Sequence, residues 1–569
     1  MSDSKSSNLL IFKIDKMKNI FFRLCIVTLI VFSMNGCTED NLLNLSPINN
    51  ISVDDSFSTP SLIASSLNGM YNAAAIGQYN STSANGGRGY VWGAAFVQQG
   101  DNRGEDVVNT ATFYQLTYTA TYDPTTANNV YYWVDGYRLI NRANLMIEGV
   151  TKAVESGVIS KAVGDDYIGQ AKFLRAITHF ELVTFFARPY NETAGATHEG
   201  IPYREVGINT QSDINTDITK GRNTVGEVYQ KVLADLNDAE NLISNTTLTK
   251  ASKNAAIAFK TRVYLHMRDW DNVIAEGTKL DSKYTLEAHP GGPFANSYSN
   301  KESIFSILQA ATLNPNVNAA LASQYNRRQL VCISPIIWRD PEWLTDDKRR
   351  SEGTDALSMV FTAMGRKYTN KYKDVVNYTD AAPVIRYAEV LLNMAEAYAR
   401  KNDMANGMAH LNMVRDRSLA SPATQSYTSF ADSKALVGAI LKERRIEFLM
   451  EGRRWSDIHR LQKDDLFPID GIPAKVANGN PPATAFELGT PYTGPFGVAA
   501  IPGSSHKIVW PIPQIELDAN PTLKQSAGWN LGMTGIDRKD YRSVSMSEHD
   551  DSLRYQMMIK QQMAIITSH

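Results

Sequence analysis

The chain has 569 residues, with 57 lysines and arginines against 59 aspartates and glutamates and a formal charge of −2. That balance offers no basic excess to attract nucleic acid and no acidic tail. Hydrophobic residues at 43% and charged ones at 20% describe an ordinary globular protein, long enough for a large core and more than one lobe.

The N-terminus reads as a targeting segment. Residues 24–32 form an apolar run behind Lys18 and Arg23. It falls short of the roughly 20 residues that span a bilayer and suits a signal-peptide core. Met17 is the natural start of that signal, so residues 1–36 comprise an upstream extension and the signal itself. The run ends in Ser33-Met34-Asn35-Gly36-Cys37, which looks like the lipobox of a bacterial lipoprotein. The small Gly36 lets a peptidase approach, and the Cys37 thiol is the nucleophile that takes the lipid. A plain secretory signal with a chance cysteine is the alternative. With Cys37 lipidated, Cys332 is alone in the mature chain and no intramolecular disulfide forms. Residues 37–50 then make a polar tether.

Thr59 and Pro60 supply an N-cap and a first helical residue, and Ile63, Leu67, Met70 and Ala74 follow as a stripe. From 77 to 129 helical periodicity fails. That stretch still holds Tyr79, Tyr90, Trp92, Phe96, Phe113, Tyr114, Tyr118 and Tyr122, against the composition of disorder, so a folded, functional irregular region is expected. Helices resume over 131–150, 167–186, 224–242 and 254–268, and Asp269-Trp270-Asp271 leads into another. Residues 284–380 are irregular again, apart from a short strand over 302–309.

The 384–417 stretch organises the rest. Val384, Ala388, Leu391, Ala395 and Tyr398 share one helix face, Lys401-Asn402-Asp403 interrupts, and Met404, Met408, Leu411 and Val414 form a second stripe. Two helices and a turn fill roughly 34 residues, the tetratricopeptide period. Such a hairpin cannot bury its apolar face alone, so neighbouring helical pairs are predicted. A long charged helix over 434–462, a Pro/Gly-rich loop over 467–507 and a closing segment over 508–529 complete one domain spanning 51–530. Residues 531–569 are an extension without an assigned role. The predicted class is mainly α: a superhelix of tetratricopeptide-like pairs with a loop-rich irregular lobe and a few short strands.

Four stretches, AKFLRAITHFELVTFF, VIRYAEVLLNMAEAYA, ILKERRIEFLMEGRRWSDIHR and IVWPIPQIELDANPTL, resemble the SusD/RagB family of nutrient-binding outer-membrane lipoproteins, in that family's order. Ser526-Ala527 departs from the Asn-Pro often found there. The resemblance implies a surface lipoprotein without catalytic activity or cofactor, held to the outer membrane by its N-terminal lipid. It also implies capture of oligosaccharides, or in some branches peptides, for a SusC-like TonB-dependent barrel beneath.

The residues themselves add the following. No GxSxG, HExxH or phosphate-binding glycine loop occurs, and nine histidines are scattered without ligand spacing, so neither a catalytic nor a metal site is expected. A surface glycoside hydrolase, using two of the many carboxylates, is the alternative reading. Glu443, Arg444, Arg445, Glu447, Glu451, Arg453 and Arg454 read as an ion-pair network fixing helix packing, and Arg175 and Arg386 read likewise. Sugar binding needs a flat ring for the pyranose face and planar polar groups for adjacent hydroxyls. The irregular segments supply Tyr79, Tyr90, Trp92, Asp101, Asn102 and Arg103, then Tyr298, Tyr325, Arg327, Trp338 and Trp343. Trp92, between Gly89 and Gly93, and Trp338, between Pro335 and Pro341, are expected to be exposed platforms. Phe96, Phe113 and Phe305 are assigned to the core.

Overall fold

The computed structural model describes residues 52–77, 87–311 and 316–529. Cys37, Tyr79, the signal and tether expected before residue 51 and the extension after 530 lie outside the described residues.

The frame is helical. It comprises α1 (Pro60–Ile76), α2 (Ala94–Asn102), α3 (Ala127–Glu155), α4 (Lys161–Phe186), α5 (Val225–Leu242), α6 (Lys253–Met267), α7 (Trp270–Thr278), α8 (Tyr387–Arg400), α9 (Met404–Asp416), α10 (Ser433–Glu447) and α11 (Arg454–Arg460), besides shorter turns of helix. Side-chain oxygens start most of them. The Thr59 hydroxyl accepts from the Leu62 N–H at 3.3 Å, Thr224 and Glu227 form a capping box on α5, and Asp432 accepts from the Ala435 N–H at 2.7 Å. Each satisfies an amide that the helix itself leaves orphaned.

Consecutive helices pack side by side: α3 on α4, α4 on α5, α6 on α7, and α8 on α9, with α8 also against α7 and α10. Two of these pairs are joined by the same turn. Arg268 (φ 63°) ends α6 and Asn402 (φ 64°) follows α8 in the left-handed region. Asp269 and Asp403 then cap the next helix through the Asn272 and Asn406 N–H groups. A left-handed residue followed by an aspartate reverses the chain within one turn and places the second apolar stripe against the first. Gly407 lets α9 approach closely, since a Cβ there would stand 3.2 Å from the Ala395 carbonyl of α8.

The irregular lobe holds three two-stranded antiparallel sheets. β1 (Val107–Asn109) pairs with β3 (Val331–Ile333), β2 (Ser303–Ile307) with β6 (Ala382–Arg386), and β4 (Val360–Ala363) with β5 (Arg366–Thr369).

Three boundaries differ from those read in the sequence. Val384 and Ile385 belong to β6, and α8 begins only at Tyr387. The charged helix over 434–462 is two helices, α10 and α11, broken where Met450 (φ 64°) and Gly452 (φ 75°) leave helical geometry. The aperiodic stretch 77–129 contains α2, every residue of which is buried. A helix covered on all faces has no polar side, so its sequence carries no stripe.

The charged residues of α10 and the following turn do form ion pairs between elements. Arg349 meets Glu447 at 3.1 Å and also pairs with Glu443. Arg417 meets Glu447 at 2.6 Å, Arg444 meets Asp457 at 3.0 Å, and Arg175 of α4 meets Asp235 of α5 at 2.7 Å.

Candidate functional site

The sequence pointed to rings on irregular segments, and most of these rings are covered. Trp92 is 2% exposed; its indole N–H donates to the Thr178 hydroxyl at 3.3 Å and its ring lies 4.6 Å from Phe96. Trp338 is 3% exposed, donates to the Phe486 carbonyl at 3.1 Å, and is covered by the guanidinium of Arg350, 4.5 Å from its ring centre. The expectation of two exposed platforms is therefore corrected: both tryptophans are core residues. Gly89 (φ 69°) and Gly93 let the chain fold tightly inward, with a Cβ at Gly93 only 2.7 Å from the Ala75 carbonyl. Pro335 is the first residue of a short helix that carries Trp338 inward.

Tyr90, Asp101, Asn102, Arg103, Tyr325 and Trp343 are corrected with them, since all six are buried. Tyr90 donates to Asn128 at 2.7 Å and Asn102 to the Gln98 carbonyl at 2.8 Å. Arg103 lies 3.8 Å over the Trp455 ring and donates to the Tyr122 hydroxyl at 3.0 Å. Asp101 accepts from the Tyr325 hydroxyl and from the Gly452 N–H. Tyr90, Asp101, Asn102, Arg103 and Tyr325 each have at least one internal hydrogen-bond partner, as burial demands.

Tyr298 keeps an exposed ring, at 36% of its surface. Its hydroxyl donates to the Gln309 carbonyl at 2.9 Å. Burial of that end pushes the phenol up to about 12, against the pull of the hydrogen bond with Thr379. Thr379 follows Tyr378, whose hydroxyl accepts from Arg327. Arg327 ends a π-helical turn, Ala322–Arg327, a rare geometry that recurs at functional sites. The next residue, Arg328, is exposed and donates to Asn318 at 3.0 Å.

Arg328 and Arg88 both lower the proton affinity of buried Tyr114, whose hydroxyl burial pushes well up. Tyr114 meets Phe113 edge-on at 4.5 Å, and the Arg88 guanidinium lies 4.4 Å over the half-buried Phe113 ring. The β1–β3 ladder sets this register, since the Thr110 N–H continues it onto the Leu330 carbonyl at 3.0 Å. Residues 110–114, the π-turn with Arg328, the 374–380 turn and Tyr298 thus form one connected polar–aromatic surface. Rings for apolar faces and guanidinium forks for paired oxygens lie within it. Phe113 packs against the core, as expected from sequence, but is only half-buried. Arg327 is among the residues the sequence singles out, whereas Arg328 beside it and Arg88 are not.

No helix among the described residues is long and apolar enough to cross a membrane. The architecture is that of a mostly helical frame with rings and guanidinium groups on one irregular face. Two family models match the chain: one described as the SusD family over residues 342–529, the other as starch-binding, associating with the outer membrane, over residues 42–265. Among similar proteins, SusD-like protein P2 of Formosa agariphila is 24% identical over 399 residues, covering 60% of this chain and 73% of its own. A SusD superfamily protein from Bacteroides fragilis superposes with a TM-score of 0.67 at 29% identity, covering 83% of this chain and all of its own. A putative sugar binding protein from Bacteroides vulgatus superposes with a TM-score of 0.63 at 22% identity, covering 83% of this chain and 99% of its own. The chain belongs to the SusD/RagB family, whose members are binding proteins.

Proposed function

We propose that this protein captures oligosaccharides at the outer membrane and hands them to a SusC-like TonB-dependent barrel. The observation that carries the reading is the connected surface of Phe113, Tyr298, Arg327 and Arg328 in a chain whose matching family model is described as starch-binding. A ring removes the C–H face of a pyranose from water, and guanidinium groups pair with neighbouring hydroxyl or carboxylate oxygens. Cys37 supplies the lipid anchor, residues 37–50 the tether, and the helical frame the docking face toward the barrel.

Isothermal titration with neutral and acidic oligosaccharides, and in parallel with peptides, tests the reading. Saturable binding of a glycan that weakens on substitution of Tyr298 or Arg328 supports it. Binding of peptides alone replaces it with capture of peptides, and shortened glycan products would replace it with hydrolysis. Fatty-acid labelling of the wild type but not of a Cys37→Ala variant supports the anchor; equal labelling removes it. Recovery of a barrel with the protein from mildly solubilised outer membranes tests the partner.

A further inference from the structure

The π-turn that carries Arg327 is joined to the helical frame at one buried point. Tyr325, in the middle of the turn, is fully buried and donates its hydroxyl to Asp101 Oδ2. Asp101 Oδ1 accepts from the Gly452 N–H at 2.8 Å. Gly452 has a left-handed φ of 75° and lies in the break between α10 and α11. Helix α2 is seated directly on that break, since a Cβ at Gly100 would collide with the Gly452 carbonyl. One carboxyl therefore ties three separate elements together: α2, the 448–453 break and the π-turn.

We propose that Asp101 is a positioning residue for the binding surface, a latch that registers the π-turn and its Arg327 and Arg328 against the helical frame. This rests on the reading of that surface as the ligand site. The latch is pH-dependent. Burial, outweighing the hydrogen bonds from Tyr325 and Gly452, pushes the Asp101 carboxyl up from 3.8 to about 7. Lys371 pulls it down and Glu451 pushes it up, both from elements packed beside it, and Tyr372 faces it from the same side. On the other side a cavity of about 10 Å³, room for one water, is shared with Asp106, Asp457, Arg444, Arg445, Arg453 and Arg454. Those six are already matched in ion pairs among themselves and with Glu105 and Glu181.

The sign follows from linkage. Closed, Asp101 holds its proton up to about pH 7; opened to water, it holds it only to its ordinary value. Protons therefore favour closure, and the latch loosens as pH rises from about 4 through about 7, levelling off above that. An opening that brings water to the carboxyl becomes roughly tenfold easier between pH 6 and 8.

Peptide-resolved hydrogen exchange on the purified protein tests this without any ligand. After correction for intrinsic rates, residues 322–330 are expected to exchange about tenfold faster at pH 8 than at pH 6, while residues 387–400 of α8 do not change. Asp101→Asn should abolish the pH step. Tyr325→Phe, which removes one hydroxyl that favours the ionised carboxylate, should move the midpoint to higher pH. A wild-type segment without the step, a step that survives in Asp101→Asn, or an unmoved midpoint in Tyr325→Phe each overturns the proposal. If Asp101→Asn does not fold, the Tyr325→Phe midpoint alone decides. A parallel mobility-shift gel containing soluble starch should show retardation weakening from pH 6 to 8. Retardation that is unchanged over that range overturns the link between latch and surface. Absence of retardation by starch and every other glycan sinks the carbohydrate reading, while the exchange data still decide the latch.

Discussion

Arg386 spans Glu447 and Glu451, with Nη1 3.1 Å from the first and Nη2 2.8 Å from the second, and it also pairs with Glu302 of the irregular lobe. It is the last residue of β6 and the N-cap position of α8. The strand-to-helix junction, the break after α10 and the irregular lobe therefore meet on a single buried guanidinium. Replacing it by Met leaves Glu302, Glu447 and Glu451 with only Arg349, Arg417 and Lys371 as partners, so the buried cluster is one cation short, at a cost of about 3–5 kcal/mol. Urea denaturation should show a large fall in midpoint for Arg386→Met, and a change within error would contradict the packing described.

The same chemistry sets the acid limit. Burial alone would push the Glu396 carboxyl up, but Arg460 and Arg400 outweigh it and hold it at about 2, below its usual 4.5. Burial is likewise outweighed at Glu105, where Arg454 and Arg445 hold the carboxyl at about 2. A depressed carboxyl contributes stability that is present above the unfolded value and lost as pH falls through the folded one. Melting temperature should therefore drop steeply between about pH 4.5 and 2, and less steeply in Glu396→Gln.

Lys475 works on the other side of neutrality. Its amine donates to the Tyr118 carbonyl at 3.0 Å and to the Asn102 carbonyl at 2.5 Å, two acceptors for the two hydrogens of a neutral amine. Burial, with Arg103 adding to it, pushes the group down from 10.5 to about 7. The unfolded chain then binds the extra proton between pH 7 and 10.5, so stability contributed here rises with pH across that window. In Lys475→Met that slope should vanish, and each stranded carbonyl should cost about 1–3 kcal/mol. An unchanged slope would mean that the amine is charged when folded.

Trp92 and Trp338 should behave as core residues. Truncation of either to Ala should cost about 3–5 kcal/mol and visibly lower the melting temperature. Normal melting with weakened glycan binding would restore them to the ligand surface.

Tyr298→Ala and Arg328→Ala should do the reverse. Arg328 is exposed and Tyr298 keeps an exposed ring with one hydrogen bond to the Gln309 carbonyl, so melting should move little. Loss of one stacking ring or one fork of hydrogen bonds should weaken glycan binding by roughly tenfold. Unchanged affinity in both variants would place the ligand elsewhere.

The elements that one sequence can specify are those with local causes. The stripe through Ala388, Leu391 and Ala395, the Thr59-Pro60 helix start and the Asp269 entry to α7 are written in spacing and side-chain type, and they are found as expected. The family was legible for the same reason, because three of its four motifs fall on α4, α8 and the α10–α11 segment of that frame. Which rings face water was decided by tertiary structure alone. A tryptophan between glycines is compatible with a raised platform or an inward fold. The choice at Trp92 was made by Thr178, 86 positions away, which gives its N–H a partner inside the core. Asp101 likewise reads as a surface carboxylate until Tyr325 and Gly452, more than 200 positions away, close over it. Burial is a property of contacts between distant segments, and a single chain's local pattern does not encode it once a helix or loop is covered on every side.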